Sequence, residues 1–164
     1  MATKSDTHLP MDDPNISLVM ILNGLMHICR EGHDGYMQAA EGITSSAYKT
    51  MFVEYAHQRS HFASQLANLV KDQGGEPDDD GYAMKLFSHG WTNIQPVIMG
   101  GDYGAIFAEC ESSEDTAKNA YERVLEKDIP EDVAAIVNQQ YEQIGEARDR
   151  IHNLYEAYYL EHKN

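Results

Sequence analysis

The sequence predicts an all-α fold: a four-helix bundle made of two antiparallel hairpins, joined by a long crossover that contains a short helix. Three observations lead there. Apolar residues recur at spacings of three and four along four long stretches, the period of a helix with one buried face. The connections Thr44-Ser45-Ser46 and Asp128-Ile129-Pro130 are short, so each joins an antiparallel pair. The middle connection, residues 75–103, is long and broken by glycine and proline, so it separates the two pairs.

Residues 1–13 read as a flexible tail, and residues 14–164 as a single domain. Asp13-Pro14 supplies an N-cap followed by proline at the first helical position. The first helix runs to about Gly42, with Leu18, Leu22, Leu25, Cys29, Gly32, Tyr36, Ala39 and Ile43 on one inward stripe. Gly32 and Gly35 are poor helix formers and mark a closely packed neighbour. The second helix is capped by the Thr44–Ser46 hydroxyls and turns Phe52, Ala56, Arg59, Ala63, Leu66 and Val70 inward. It stops at Gly74-Gly75, Pro77 and the run Asp78-Asp79-Asp80.

The crossover holds the apolar segment 82–99, with the only tryptophan, Trp91, and an internal Pro96. This predicts a short, bent helix covering one side of the bundle, pinned there by Tyr82, Leu86, Phe87 and Trp91. Gly100-Gly101-Asp102 closes it. The third helix carries Ile106, Cys110, Ser113, Ala117, Ala120 and Val124 inward. The fourth carries Val133, Val137, Gln140, Ile144, Ala147, Ile151, Leu154 and Tyr158.

Short pairs around one long crossover give ferritin-like connectivity, distinct from an up-down-up-down bundle with three short loops. The halves echo weakly, Cys29-Arg30-Glu31-Gly32-His33-Asp34 against Cys110-Glu111-Ser112-Ser113-Glu114-Asp115. An ordered set of short motifs joins this: Asn23-Gly24-Leu25, Gly32-His33-Asp34-Gly35-Tyr36, Gln58-Arg59, Gly74-Gly75-Glu76-Pro77, Gly90-Trp91 and Glu111-Ser112-Ser113-Glu114-Asp115. Together, over most of residues 16–155, they resemble a bacterial ferritin-like family known only as domain of unknown function 2383. The resemblance implies a four-helix bundle with no established activity, and a place in stress adaptation by analogy. Arg148 departs from that family, whose members usually carry a histidine near this position.

Composition bounds the function classes. With 42% hydrophobic residues, the chain can bury one substantial core. A net charge of -15 repels phosphate backbones and anionic bilayers, so neither nucleic acid nor membrane is expected as a partner. The absence of an apolar run near the N-terminus leaves a cytoplasmic location as the default. Cys29 and Cys110 are too few for a disulfide framework and read as buried thiols. A homo-oligomer or a protein partner is left open, and no small-molecule ligand is readable.

The ferritin-like reading raises the question of metal. Glu54 and His57, like Asp149 and His152, have the carboxylate-x-x-His spacing of di-iron bundles. Helical phase turns them away: Glu54 and His57 fall roughly 150° from their stripe, Asp149 roughly 170° and His152 roughly 110°. Glu54 and His57 should face solvent, Asp149 and His152 point away from the core or along its edge, and both pairs read as decoys. Arg59 instead takes the inward phase, and a guanidinium there opposes a cation. Its expected partners are Glu109 and Glu114, roughly 60° and 80° off the stripe of the third helix, at its two flanks. A second metal candidate is a zinc site from Cys29, His33, Cys110 and Glu114, with each pair four residues apart on an inner flank.

His27 and His61 lie opposite their stripes and are expected to be exposed. Tyr155, Tyr158 and Tyr159 serve either packing or recognition. The sequence shows no glycine-rich phosphate loop and no nucleophile elbow. The leading expectation is a structural or interaction protein without an intact di-iron site or cofactor, and not an enzyme. The alternative is a metal-binding protein or oxidoreductase using zinc or iron in a degenerate ferritin-like centre. A third reading is a small-molecule binder with a cleft beneath residues 82–99.

Overall fold

A computed structural model describes residues 16–77, 83–91 and 94–162, all helical or irregular, with no strand among the described residues. Tail 1–13, the Asp13-Pro14 start, Asp78-Asp79-Asp80 and Tyr82 lie outside them. Four long helices carry the structure: α1 (Leu18–Glu41), α2 (Ser46–Asp72), α4 (Tyr103–Leu125) and α5 (Glu131–Glu161). Between the pairs, a 3-10 turn (Ala83–Leu86) precedes the short helix α3 (Ile94–Gly100).

Local chemistry sets the boundaries. α1 starts at Leu18, where Ser17 Oγ accepts from the Met20 amide. α2 starts at the predicted turn, where Ser45 Oγ accepts from the Tyr48 amide. It ends where Gly74 takes φ +82°, a left-handed conformation natural to glycine. α4 starts where Asp102 accepts from the Gly104 and Ala105 amides. The crossover contains the predicted short helix, α3, with a 3-10 turn ahead of it. Trp91 stands between the 3-10 turn and α3, and Pro96 lies in the first turn of α3, where its missing N–H costs nothing.

Contacts across the bundle define the topology. Along α1, Cys29 meets Tyr121, Tyr36 meets Glu114 and Thr44 meets Tyr103, so α1 and α4 run antiparallel. Gln58 meets Gln143 and Gln65 meets Gln140, so α2 and α5 do too. With α1 paired to α2 and α4 to α5, every neighbour is antiparallel and the crossover spans the bundle lengthwise. This is the ferritin-like arrangement.

The crossover lies along α1, and glycines admit it. A Cβ on Gly24 would lie 2.7 Å from Phe87, one on Gly35 2.1 Å from the Trp91 ring, and one on Gly42 2.1 Å from Ile98. Leu86, Phe87 and Trp91 are buried. Covered by α2, α4 and the crossover, α1 is buried on every side from Ile21 to Cys29. That corrects the reading of His27 as exposed, since only 7% of it is accessible. His61 is exposed.

The inward stripes of α2 and α4 are buried throughout, while Leu154 and Tyr158 at the end of α5 are half-buried. The apolar core comes in two clusters. Leu22, Leu25, Leu66, Val124 and Val137 belong to one, and Phe52, Phe107, Trp91 and Ile151 to the other. Each fully buried leucine or phenylalanine contributes about 1.5–3 kcal/mol of transfer free energy. Arg59 and Glu114 fall between the clusters in sequence and form a polar layer inside the core.

Candidate functional site

The polar layer draws on all four long helices. From α2, Arg59 Nη1 and Nη2 donate to Glu114 Oε1 and Oε2 of α4 at 2.6 and 2.7 Å. From α1, the Tyr36 hydroxyl donates to Glu114 Oε2. Arg59 Nε donates to Gln58 Oε1 at 3.3 Å, and Gln58 reaches Gln143 of α5. The guanidinium carbon stands 5.5 Å from the Tyr36 ring centre and 6.0 Å from that of Phe62, within cation–π range.

A second tier lies one helical repeat away. Cys29 Sγ and the Tyr121 hydroxyl are 3.1 Å apart, and that hydroxyl donates to Gln140 Oε1 at 2.7 Å. Gln140 Nε2 donates to Gln65 Oε1 at 3.0 Å and to the Phe62 carbonyl at 3.3 Å. The inward Tyr36, Arg59, Glu114, Tyr121 and Gln140 therefore all have partners, as burial in low dielectric demands.

Burial and charge fix the protonation states. Burial alone would lower the Arg59 pKa, but the Glu114 carboxylate outweighs it and holds the guanidinium above its usual range. Burial pushes the Cys29 thiol up to about 11, partly offset by the hydrogen bond it shares with the Tyr121 hydroxyl. Burial, reinforced by Glu114, raises Tyr36 and Cys110 well above their ordinary values. Tyr121 is likewise raised well above its ordinary value, first by burial and then by Cys29. At neutral pH the layer holds one cation and neutral thiols and phenols.

The predicted residues distribute as follows. Glu109 is half-buried and acts on Cys110 rather than on Arg59; Glu114 alone provides the carboxylate of the pair. His33 is not on an inner flank: its side chain is 36% exposed and its Nδ1 lies 3.0 Å from Asp34. Cys29 and Cys110 fall in different core clusters, and both thiols are free. The four residues of the zinc candidate are therefore not brought together. Glu54 and His57 are exposed. Asp149 and His152 do not act as a pair either, since Asp149 meets Arg148 at 3.3 Å while His152 meets Glu111 at 2.9 Å.

Arg148 stands at the centre of that seam between α4 and α5. Its Nε and Nη2 donate to Asp115 and Glu111 at 2.8 and 2.9 Å, and the Asp115 bond leads the rise in its pKa. The family model described as Domain of unknown function (DUF2383) matches residues 17–127, which take in α1, α2, the crossover and α4. The chain belongs to DUF2383. No curated protein matches it. The DUF2383 match stops short of α5, so Gln140, Arg148 and His152 join the site from outside the matched span.

A ferritin-type di-metal centre does not fit this DUF2383 chain. Such a centre needs inward carboxylates and imidazoles from facing helices. Here the four helices present phenols, thiols, a guanidinium and amides, and the inward carboxylate of Glu114 already binds Arg59 through both oxygens. Among the described residues no group of three or more His, Cys, Asp or Glu side chains is placed to hold a metal ion. The crossover leaves hollows of about 200 Å³ beside Trp91 and about 120 Å³ beside Phe87. Both are below the ~300 Å³ at which ligand pockets begin.

Sequence reasoning missed Tyr36 and Tyr121 as members of the network. The signal was present: a tyrosine in the apolar phase of a helix must find a partner for its hydroxyl.

Proposed function

We propose that this protein is a metal-independent member of the ferritin-like bundles that acts as a structural or interaction protein, not an enzyme, in the cytoplasm. The observation that carries this reading is the Arg59–Glu114 pair. It sets a guanidinium against the inward carboxylate of Glu114, so the bundle core holds a neutralised pair where di-iron members of the fold gather free carboxylates. Two further points support it. The cysteines are buried, with pKa values raised by burial, the opposite of reactive thiolates. Among the described residues no helix is long and apolar enough to cross a membrane. A role in stress adaptation rests on analogy with the family alone.

The test is metal content per chain by elemental analysis, on untagged protein, before and after anaerobic titration with iron and zinc. The expected result is no stoichiometric metal and a melting curve unchanged by chelator. Two irons per chain, lost on Glu114→Gln, would overturn the proposal. One zinc lost on Cys29→Ser or Cys110→Ser would overturn it as well.

A further inference from the structure

α5 is longer than its partner α4, 31 residues against 23, and its last turns reach the end of the bundle where α4 begins. There the three C-terminal tyrosines divide. Tyr158 packs inward, 6.4 Å from Phe107 and 6.5 Å from Tyr103, over Gly104, where a Cβ would lie 2.8 Å from its ring. Tyr155 and Tyr159 form an outward ridge with ring centres 6.4 Å apart. Tyr159 is 54% exposed and Leu160 69%. Met99, three residues before the Asp102 cap of α4, is 79% exposed. These are the exposed large hydrophobic residues of the described structure.

Grooves flank the ridge. One, of about 380 Å³, is lined by Tyr155, Glu156, Tyr159 and Leu160. The other, of about 290 Å³, runs between the ridge and the small residues Gly104, Ala105 and Ala108 of α4. Apolar surface rimmed by polar groups, with grooves of side-chain width, is the form of a recognition surface.

Charge selects the occupant. Asp102 and Glu156 are exposed on the linings of the two grooves, which hold no Lys or Arg; the imidazole of His162, exposed on the second groove, stacks on Tyr158 with ring centres 4.0 Å apart. A second copy of this chain would bring like charges face to face, and an anionic bilayer would be repelled. We infer that this end of the bundle docks a basic amphipathic helix of another protein. Its apolar side chains fill the two grooves, and its Lys or Arg side chains meet Asp102, Glu156 and the tyrosine faces. The inference rests on the reading of the protein as an interaction module and names the class of partner.

The test uses the full chain and a fluorescent synthetic Lys/Leu amphipathic helix of roughly five turns, with a Glu/Leu helix of the same pattern as comparison. Binding is read by anisotropy at about 0.15 M salt, where surface charges beyond about 8 Å are screened. The basic helix is expected to bind and the acidic one not. Tyr159→Ala/Leu160→Ala should weaken binding at least tenfold, and Glu156→Lys should weaken it and flatten its salt dependence. Glu131→Lys changes the net charge equally at an exposed position at the opposite end of α5 and should leave binding unchanged.

Equal weakening by Glu131→Lys would reduce the effect to general attraction and overturn the inference, as would patch variants that bind like the wild type. A concentration-dependent dimer in sedimentation velocity, abolished by Tyr159→Ala/Leu160→Ala, would assign the surface to a second copy and overturn it too. Stoichiometric metal in the same preparation would sink the metal-independent reading while leaving the docking result standing, so the two failures are distinguishable.

Discussion

Arg59 and Glu114 meet through two hydrogen bonds of 2.6 and 2.7 Å, with side chains 2% and 0% exposed. A buried pair of this kind is costly to break from one side, because the remaining charge is stranded. It is cheap to replace as a whole. Arg59→Met or Glu114→Gln alone should destabilise the fold by about 3–5 kcal/mol, lowering the melting midpoint by roughly 6–20 °C. The triple replacement Tyr36→Phe/Arg59→Met/Glu114→Leu removes both charges and the phenol that donates to them. It should return to within about 2 kcal/mol of the wild type. Calorimetry of the three variants decides. Singles as mild as surface substitutions would mean that the guanidinium is solvated.

Gly35 is the point at which the crossover is admitted to α1. A methyl group there would lie 2.1 Å from Cε3 of a rigid indole, so the ring must leave. Gly35→Ala should cost about 1–3 kcal/mol despite its better helix propensity. It should also shift Trp91 emission to the red as the ring becomes hydrated. Gly100→Ala meets nothing within 4 Å at an unremarkable φ and serves as the control. An unshifted spectrum in Gly35→Ala would show that the crossover does not depend on this contact.

Helical phase alone placed Arg59 in the core and turned Glu54, His57 and Asp149 outward. These positions depend only on the 3.6-residue period and on which side of a helix is apolar. The choice of Glu114 over Glu109 was not legible, because the two flank the same stripe on opposite sides. Which flank meets α2 depends on the order of helices around the bundle. His27 was misread for a related reason: the phase test assumes one buried face, whereas the crossover covers a second face of α1 around Gly24. The ion-pair seam escaped because Arg148, Glu111 and His152 lie at the edges of their helices, where phase predicts neither burial nor exposure.

Tyr121 and Tyr141 separate the value of a buried hydroxyl from that of an exposed one. The Tyr121 hydroxyl donates to Gln140 Oε1 within the core, at 2.7 Å. Its removal leaves the amide oxygen without a donor, and Tyr121→Phe should cost about 1–3 kcal/mol. The Tyr141 hydroxyl donates to Glu122 at a similar 2.6 Å, but at the surface, where water can take its place. Tyr141→Phe should cost at most about 1 kcal/mol. Urea midpoints with equal slopes for the two variants test the difference, and equal losses would show that the Tyr121 bond is no better protected than the Tyr141 bond.

The same burial makes the fold sensitive to base. Cys29 keeps its proton in the folded chain to about pH 11, against an ordinary value of 9.0. Below pH 9 both the folded and unfolded chains hold that proton, and the stability linked to it is fully present. Between pH 9 and 11 the unfolded chain releases its proton while the folded chain retains it. Stability therefore falls with rising pH, by about 3 kcal/mol for this group alone once the folded value is passed. Cys110, Tyr36 and Tyr121 are shifted in the same direction by burial and steepen the decline. Denaturant midpoints at pH 7.5, 9, 10 and 11 should drop progressively in the wild type. Cys29→Ala should begin slightly lower at pH 7.5, through the lost packing of the sulfur, and then decline less steeply between pH 9 and 11. Parallel curves for the two proteins would mean that the thiol titrates as freely in the folded chain as in the unfolded one, which its burial beside Tyr121 does not allow.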